Sequence, residues 1–329
     1  MKVLVLGGTR FLSKRIGAVA VAAGHDVVCA ARGDHGRPPD GARFVRWDRN
    51  EPVPAVLASL RPDVVIDVTD TPAFAAQAVK TWPDAHWVFI STLNVYADLS
   101  RAGGNAADTP LVKPDQSGDP QAGPKSYGAM KVACENLVRA GTASSLVLRP
   151  GLIIGPGDPS GRFAYWPSHA AQAGFDGGEL LVPGEPGDPV QFIDVGDLAD
   201  WAVRSLDSRV QGCFDAVGPS LTKADFVAGL LKGVDSPAEP SYIPSDWLTR
   251  HDVAEWAGPR SIPLWTADPQ SAGHMARDVT ASLEAGLVIS PVAQTSRSTM
   301  AWLKATPDAP VTGLTRAEER DLIALWKSH

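Results

Sequence analysis

The first 31 residues constrain the fold more than any other part of the chain. Lys2-Val3-Leu4-Val5-Leu6 is a short apolar run that reads as a buried parallel strand, and it passes directly into Gly7-Gly8-Thr9-Arg10-Phe11-Leu12-Ser13. A helical apolar pattern follows through Ile16, Val19, Ala20 and Ala23 to Gly24, and His25-Asp26-Val27-Val28-Cys29-Ala30-Ala31 reads as a second strand. The three segments form a βαβ unit with a glycine turn at the helix N-terminus. Backbone N–H groups are free there and the helix end is positive, so the turn is a site for a pyrophosphate. Gly7, Thr9, Arg10, Phe11 and Leu12 are therefore candidate contacts of a dinucleotide.

Alternation of strand and helix continues. Asp63 to Asp67 reads as a strand, Ala73 to Lys80 as its helix, and Ser144 to Leu148 as the strand after a helix that carries Tyr127. This pattern predicts an α/β protein with a doubly wound, Rossmann-like parallel sheet. After Pro156 the alternation lapses, which predicts a smaller, discontinuous C-terminal substrate domain. The expected division is 1–155 plus about 188–218 for dinucleotide binding, and 156–187 plus 219–329 for the substrate. Val190 to Val195 and Gly212 to Val217 are expected to return to the main sheet as strands. Arg101 to Lys125, rich in Gly, Pro, Asp and Asn, is expected to loop over the active site. Thr315-Arg316-Ala317-Glu318 reads as a capping box opening a terminal amphipathic helix.

Two further segments carry chemistry. In Ser126-Tyr127-Gly128-Ala129-Met130-Lys131 a phenol and an ammonium stand four residues apart, on one helical face. An ammonium beside a phenol stabilises the phenolate, which general acid/base work requires, so Tyr127 is the first candidate acid/base. The apolar strand Trp87 to Ile90 ends in Ser91 and Thr92. Ligands of open parallel sheets sit beyond strand carboxyl ends, and these hydroxyls fall there.

Together and in this order, these segments resemble the extended branch of the short-chain dehydrogenase/reductase superfamily, the NAD-dependent epimerase/dehydratase family. The matching residues are the turn from Gly7, Ser91-Thr92-x-x-Val95-Tyr96, Tyr127-x-x-x-Lys131, Leu148-Arg149-Pro150-Gly151 through Asp158, and Val190 to Ala199. The resemblance implies that Tyr127 exchanges the proton on the substrate oxygen. It implies that Lys131 holds the cofactor ribose and tunes that tyrosine, and that Thr92 bonds the same oxygen, with Ser91 as the fallback for Thr92; Ser91 is also a candidate contact of the cofactor. Pro150 and Gly151 would lie near the nicotinamide, and Asn94 beside the substrate. An NAD(P)-dependent oxidoreductase acting on a carbonyl or alcohol of a small metabolite is the function so implied.

The chain departs from the family pattern where Arg10 and Ser13 replace the second and third glycines of the turn. It also carries Leu93-Asn94 where dehydratases have an Asp-Glu pair, which disfavours dehydration. A sugar-nucleotide epimerase remains the alternative, weakened by Leu152-Ile153-Ile154 where such enzymes usually show Asn-Val-Tyr. Cofactor choice is argued at the end of the second strand, where enzymes using NAD usually place an acid on the ribose hydroxyls. Here Ala31 and Arg32 stand instead, and a guanidinium grips a 2′-phosphate, with Arg10 as a second cation. NADP is therefore favoured over NAD. Asp48 is a candidate for the adenine side.

On the substrate side, Arg162, Phe163, Tyr165 and Trp166 place a cation amid aromatics that can clamp an anion or stack on a ring. Gln191 and Asp194 occupy positions that contact substrate in the extended branch. A net charge of −7 over 329 residues argues against nucleic acid as a partner. No signal peptide or membrane span is apparent, and Cys29, Cys134 and Cys213 read as reduced thiols, so a cytoplasmic location is expected. The seven histidines show no metal-ligand spacing. A homodimer is compatible with the terminal helix. A non-catalytic dinucleotide-binding or RNA-associated protein is the alternative from another class.

Overall fold

The computed structural model describes residues 1–328. Its first half alternates strand and helix: β1 (Lys2–Leu6), α1 (Phe11–Ala22), β2 (Asp26–Ala31), β3 (Arg43–Arg46), the single turn α2 (Ala55–Ala58), β4 (Val64–Asp67), α3 (Pro72–Thr81), β5 (His86–Ile90), α4 (Pro124–Gly141) and β6 (Ser144–Pro150). After β7 (Ile153–Ile154), α5 (Arg162–Phe175), β8 (Glu179–Pro183), β9 (Pro189–Val190), β10 (Ile193–Asp194) and α6 (Val195–Asp207), strand β11 (Gly212–Ala216) completes the main sheet. The seven strands run in the order β11-β6-β5-β4-β1-β2-β3 and all pair in parallel. The order reverses between β1 and β4, so the crevice beyond their carboxyl ends is the position at which such sheets bind ligands.

Apolar runs make this sheet because both its faces are covered. In β1, Val3 and Val5 pack into a cluster with Ile16 of α1 and Leu198 and Trp201 of α6. Leu4 and Leu6 point the other way, into a cluster with Ala75 and Val79 of α3 and Cys134 and Val138 of α4. A continuous apolar strand is what a doubly covered parallel sheet requires.

Residues from β12 (Leu221–Thr222) onward form α7 (Lys223–Gly233), β13 (Glu239–Ile243), α8 (Ser245–Arg250), β14 (Ala254–Glu255), β15 (Ser261–Ile262), α9 (Thr280–Glu284), α10 (Val292–Ala305) and α11 (Arg316–Lys327). Most pack with α5 and the parallel pair β8–β13 around a third core that includes Phe163, Tyr165, Trp166, Phe226 and Trp265. Helix α11 opens with the capping box expected at Thr315 and Glu318. The buried Glu319 then ties it down by accepting from the Leu181 amide at 2.7 Å and pairing with His169 at 2.6 Å.

The segment Val190 to Val195 does not return to the main sheet as expected. It divides into β9, paired with β12, and β10, paired with β7. Its side chains explain the split: Val190 and Phe192 are drawn into the C-terminal core, whereas Ile193 and Val195 pack under α1 and α6. All three cysteines are free, and burial raises the Cys29 thiol to about 11.

One buried group sets a pH dependence. His86 is fully enclosed at the start of β5, its Nδ1 2.9 Å from the Ser144 hydroxyl and its Nε2 without a partner among the described residues. Burial, and then Arg209, lower its pKa. The unfolded chain therefore takes up this proton first as pH falls below about 6.5, so His86 contributes stability that is present above that value and lost beneath it. Urea midpoints are expected to fall from pH 7.5 to pH 5, and His86→Asn to flatten that slope. An unaltered slope in the variant would place the acid sensitivity elsewhere.

Candidate active site

At the N-terminus of α1 the glycine turn is pressed onto the second strand. Gly7 and Gly8 have φ of +122° and +88°, and a β-carbon on Gly8 would stand 2.5 Å from the Cys29 sulfur. Ser13, in the third glycine position, has a role of its own. Its hydroxyl accepts from the Gly8 N–H at 3.0 Å and donates to the Arg10 carbonyl at 2.9 Å, tying the turn to the helix. The Arg10 side chain makes no capping bond, and Phe11 carries a φ of +32°, a conformation that a β-carbon disfavours. Gly36 passes so near the turn that a β-carbon there would meet the Thr9 carbonyl at 2.5 Å, which lays the loop after Arg32 against the glycines. Arg32 is exposed, with Asp34 at 3.4 Å, and Asp48 caps its own turn by accepting from the Asn50 amide at 3.0 Å.

Beyond β5, Ser91 and Thr92 begin a 3₁₀ turn, Leu93–Val95, with the Thr92 hydroxyl accepting from the Asn94 N–H at 3.2 Å. Helix α4 packs directly on this turn, and Gly128 allows it: a β-carbon there would lie 1.9 Å from the Asn94 carbonyl oxygen. Tyr127, one residue earlier, lines the same cavity as Thr92. Lys131, one turn on, is 2 % exposed, and its ammonium donates to the Ile90 carbonyl at 2.7 Å and the Val68 carbonyl at 3.1 Å. It thus joins the carboxyl ends of β4 and β5 while standing 5.8 Å from the Tyr127 ring centre. At the carboxyl end of β5 the Ser91 hydroxyl is buried and has no hydrogen-bond partner among the described residues.

A cavity of about 1090 Å³ opens over these groups, and Thr92, Asn94, Tyr127, Pro150, Gly151 and Arg162 all line it. The Tyr127 hydroxyl has no hydrogen-bond partner among the described residues. Tyr165, Trp166 and Gln191 are not among the residues that line this cavity. Tyr165 and Trp166 are 0 % and 1 % exposed on the core side of α5, where Trp166 donates to the Pro263 carbonyl. The Gln191 amide is spent on Gly218 and Arg277, and Asp194 is the N-cap of α6.

Sequence reasoning missed three further residues that line this cavity, Tyr96, Trp256 and His274. Tyr96 is held by a buried network. Its hydroxyl meets Asp215 and accepts from Arg149 at 3.1 Å; Arg149 pairs with Glu135 at 2.6 Å, and Arg277 with Asp215 at 2.8 Å. Burial raises the Asp215 carboxyl, and hydrogen bonds and both arginines oppose that rise. Charged residues inside the apolar runs Leu146 to Pro150 and Phe214 to Ala216 were the available signal, since a buried charge needs a partner.

Residues 3–213 match the NAD dependent epimerase/dehydratase family. The chain belongs to that family. It is 34% identical over 184 residues to the 2′-dehydrokanamycin reductase of Streptomyces kanamyceticus, covering 52% of this chain and 49% of that protein. It is also 32% identical over 183 residues to the dTDP-6-deoxy-L-talose 4-dehydrogenase (NAD(P)(+)) of Kitasatospora kifunensis, covering 48% of this chain and 54% of the relative. The match thus spans about half the length of these curated relatives. In structure it is similar to a putative epimerase of Burkholderia cenocepacia, with a TM-score of 0.66 at 16% identity over 93% of this chain and 98% of that one. It is similar too to the UDP-glucose 4-epimerase of Bifidobacterium longum solved with NAD+ and UDP, with a TM-score of 0.62 at 18% identity, covering 94% and 100%. These likenesses confirm the doubly wound fold. Among the described residues no helix is long and apolar enough to cross a membrane.

Proposed function

We propose that the protein is an NAD(P)-dependent oxidoreductase that interconverts a carbonyl and an alcohol on a small metabolite, with Tyr127 as its proton-transfer residue. The observation that carries this reading is the convergence of Thr92, Tyr127 and Gly151 on one cavity, with the buried Lys131 ammonium beneath the tyrosine ring. The residues fit a dinucleotide. Gly7 and Gly8, both at positive φ, lead directly into the N-terminus of α1, and among the described residues the Ser91 hydroxyl has no partner and Lys131 has two carbonyl partners for three protons. Gly7 to Leu12 would hold the diphosphate, Lys131 and Ser91 the ribose side, and Pro150 and Gly151 the nicotinamide.

When bound, the nicotinamide supplies or accepts the hydride. The chain's own part is the proton. Tyr127 gives its hydroxyl proton to the substrate oxygen in reduction and takes it back in oxidation, while Thr92 donates a hydrogen bond that fixes that oxygen. Lys131 places a positive charge beside the developing phenolate and, being held by two backbone carbonyls, needs no rearrangement to do so. The reductase and dehydrogenase names of the two curated relatives support net oxidoreduction over epimerisation. NADPH consumption against a panel of ketones and aldehydes tests this reading. A fluorescence change on NADPH binding with no oxidation by any carbonyl would favour the non-catalytic binder.

NADP is proposed over NAD because Arg32 and Arg10 are exposed beside the glycine turn and Arg32 has only a surface partner, Asp34. Arg32→Ala is expected to weaken NADPH about tenfold or more and NADH about twofold or less, read by nucleotide fluorescence titration. Equal losses would reverse the coenzyme assignment.

A further inference from the structure

One guanidinium lining the cavity, that of Arg162, keeps its outer nitrogens unpaired among the described residues. Gly161, with φ +65° and its α-carbon face against the Pro310 carbonyl, sets the start of α5, and Arg162 follows it directly. Asp158 accepts from the Ser160 hydroxyl at 2.7 Å, and that hydroxyl in turn accepts from the Arg162 Nε at 3.0 Å. The guanidinium is therefore fixed by one edge. Its two terminal nitrogens make no hydrogen bond and no ion pair among the described residues, yet Arg162 lines the cavity. A fixed guanidinium with its outer nitrogens free is a ready fork for a planar anion.

Two further residues lining the cavity narrow the ligand. Trp256 lines the cavity in a left-handed conformation, φ +63°, and stands edge-on to His274 with ring centres 5.4 Å apart. Such backbone strain costs about 1–3 kcal/mol and persists only where the surroundings impose it. His274 makes no hydrogen bond to the protein among the described residues, and burial, then Arg277 and Arg162, lower its pKa to about 4. It is neutral at pH 7 and adds a second uncharged ring. The remaining charges on the wall are Lys125, Asp98 and Asp268, so Arg162 and Lys125 offset the two acids. A balanced wall with one open fork suits a monoanion and disfavours a diphosphate, which brings about two negative charges.

We propose that Arg162 is the specificity-determining anchor of this cavity, and that the substrate carries a single carboxylate on its free guanidinium edge beside a planar ring lying against Trp256 and His274. The inference rests on the oxidoreductase reading for the identity of the cavity. Isothermal titration with benzoate, trans-cinnamate, their neutral amides and UDP, with and without saturating NADP+, tests it. The carboxylates are expected to bind at least about tenfold more tightly than the amides, and Arg162→Met to reduce that preference to about twofold or less. Arg162→Lys is expected to restore part of it, and Trp256→Ala to weaken acid and amide alike. NADP+ affinity within about twofold of the parent shows that a variant is folded. Equal binding of acid and amide, tighter Arg162-dependent binding of UDP, or no binding of any compound beside bound NADP+ would overturn the anchor. Failure of NADP+ to bind while the carboxylate preference holds would instead remove the oxidoreductase reading and leave the anchor standing.

Discussion

Tyr127→Phe is expected to lower kcat by about 10²–10⁴-fold while leaving NADP+ affinity within about twofold and the melting temperature unchanged, because only the exchangeable proton is removed. The phenol ring stays above Lys131, where the cation 5.8 Å from its centre still packs against it. The hydroxyl has no protein partner among the described residues and faces the cavity, so no buried donor or acceptor is left orphaned by the change. Steady-state kinetics against the best carbonyl of the panel, with nucleotide titration of the same preparation, gives both numbers. Retained turnover in the variant would remove Tyr127 from the mechanism.

Gly128→Ala is expected to be as damaging to turnover, for a steric reason. Helix propensity alone favours alanine by about 1 kcal/mol at an interior helical position. The contact opposes this, since the added β-carbon would sit 1.9 Å from the Asn94 oxygen and 2.7 Å from its carbonyl carbon. Both atoms are backbone, so no rotamer relieves the clash, and either α4 or the turn after β5 must move. Forced overpacking of this kind costs about 1–3 kcal/mol, which outweighs the propensity gain. The displacement separates Tyr127 from Thr92, and a shift near 1 Å in such a pair costs about 100-fold in rate. A variant that melts higher than the parent and turns over normally would show that α4 does not rest on that turn.

The sheet was legible because its strands are apolar throughout and its turns carry their glycines where the backbone must turn left-handed, as at Gly7 and Gly8. Tyr127 and Lys131 were legible because four-residue spacing on a helix fixes a common face. The short strands β9 and β10 were not, since two-residue pairings leave no periodicity to read and their side chains serve two different cores. In α5, sequence placed Arg162, Tyr165 and Trp166 together, but only the first faces the cavity. The aromatic positions fall on the side that packs against Phe226, where His169 of the same helix stacks on Tyr165, and composition alone does not tell which face of a helix a core will take. Trp256 and His274 arrive about 100 residues beyond Arg162, the one just after β14 and the other in a 3₁₀ segment, where neither alternation nor a helical repeat marks position. Gly128 was visible only as a glycine in a helix, and its purpose emerges from the Asn94 carbonyl it accommodates.

A crystal structure with bound NADP+ tests the central assignment most directly. The account predicts diphosphate density at Gly7 to Leu12 and the nicotinamide ring in the cavity beside Gly151, facing Tyr127 and Thr92. Crystals grown in saturating nucleotide that show no density in this crevice, or a nicotinamide turned away from Tyr127, would contradict it.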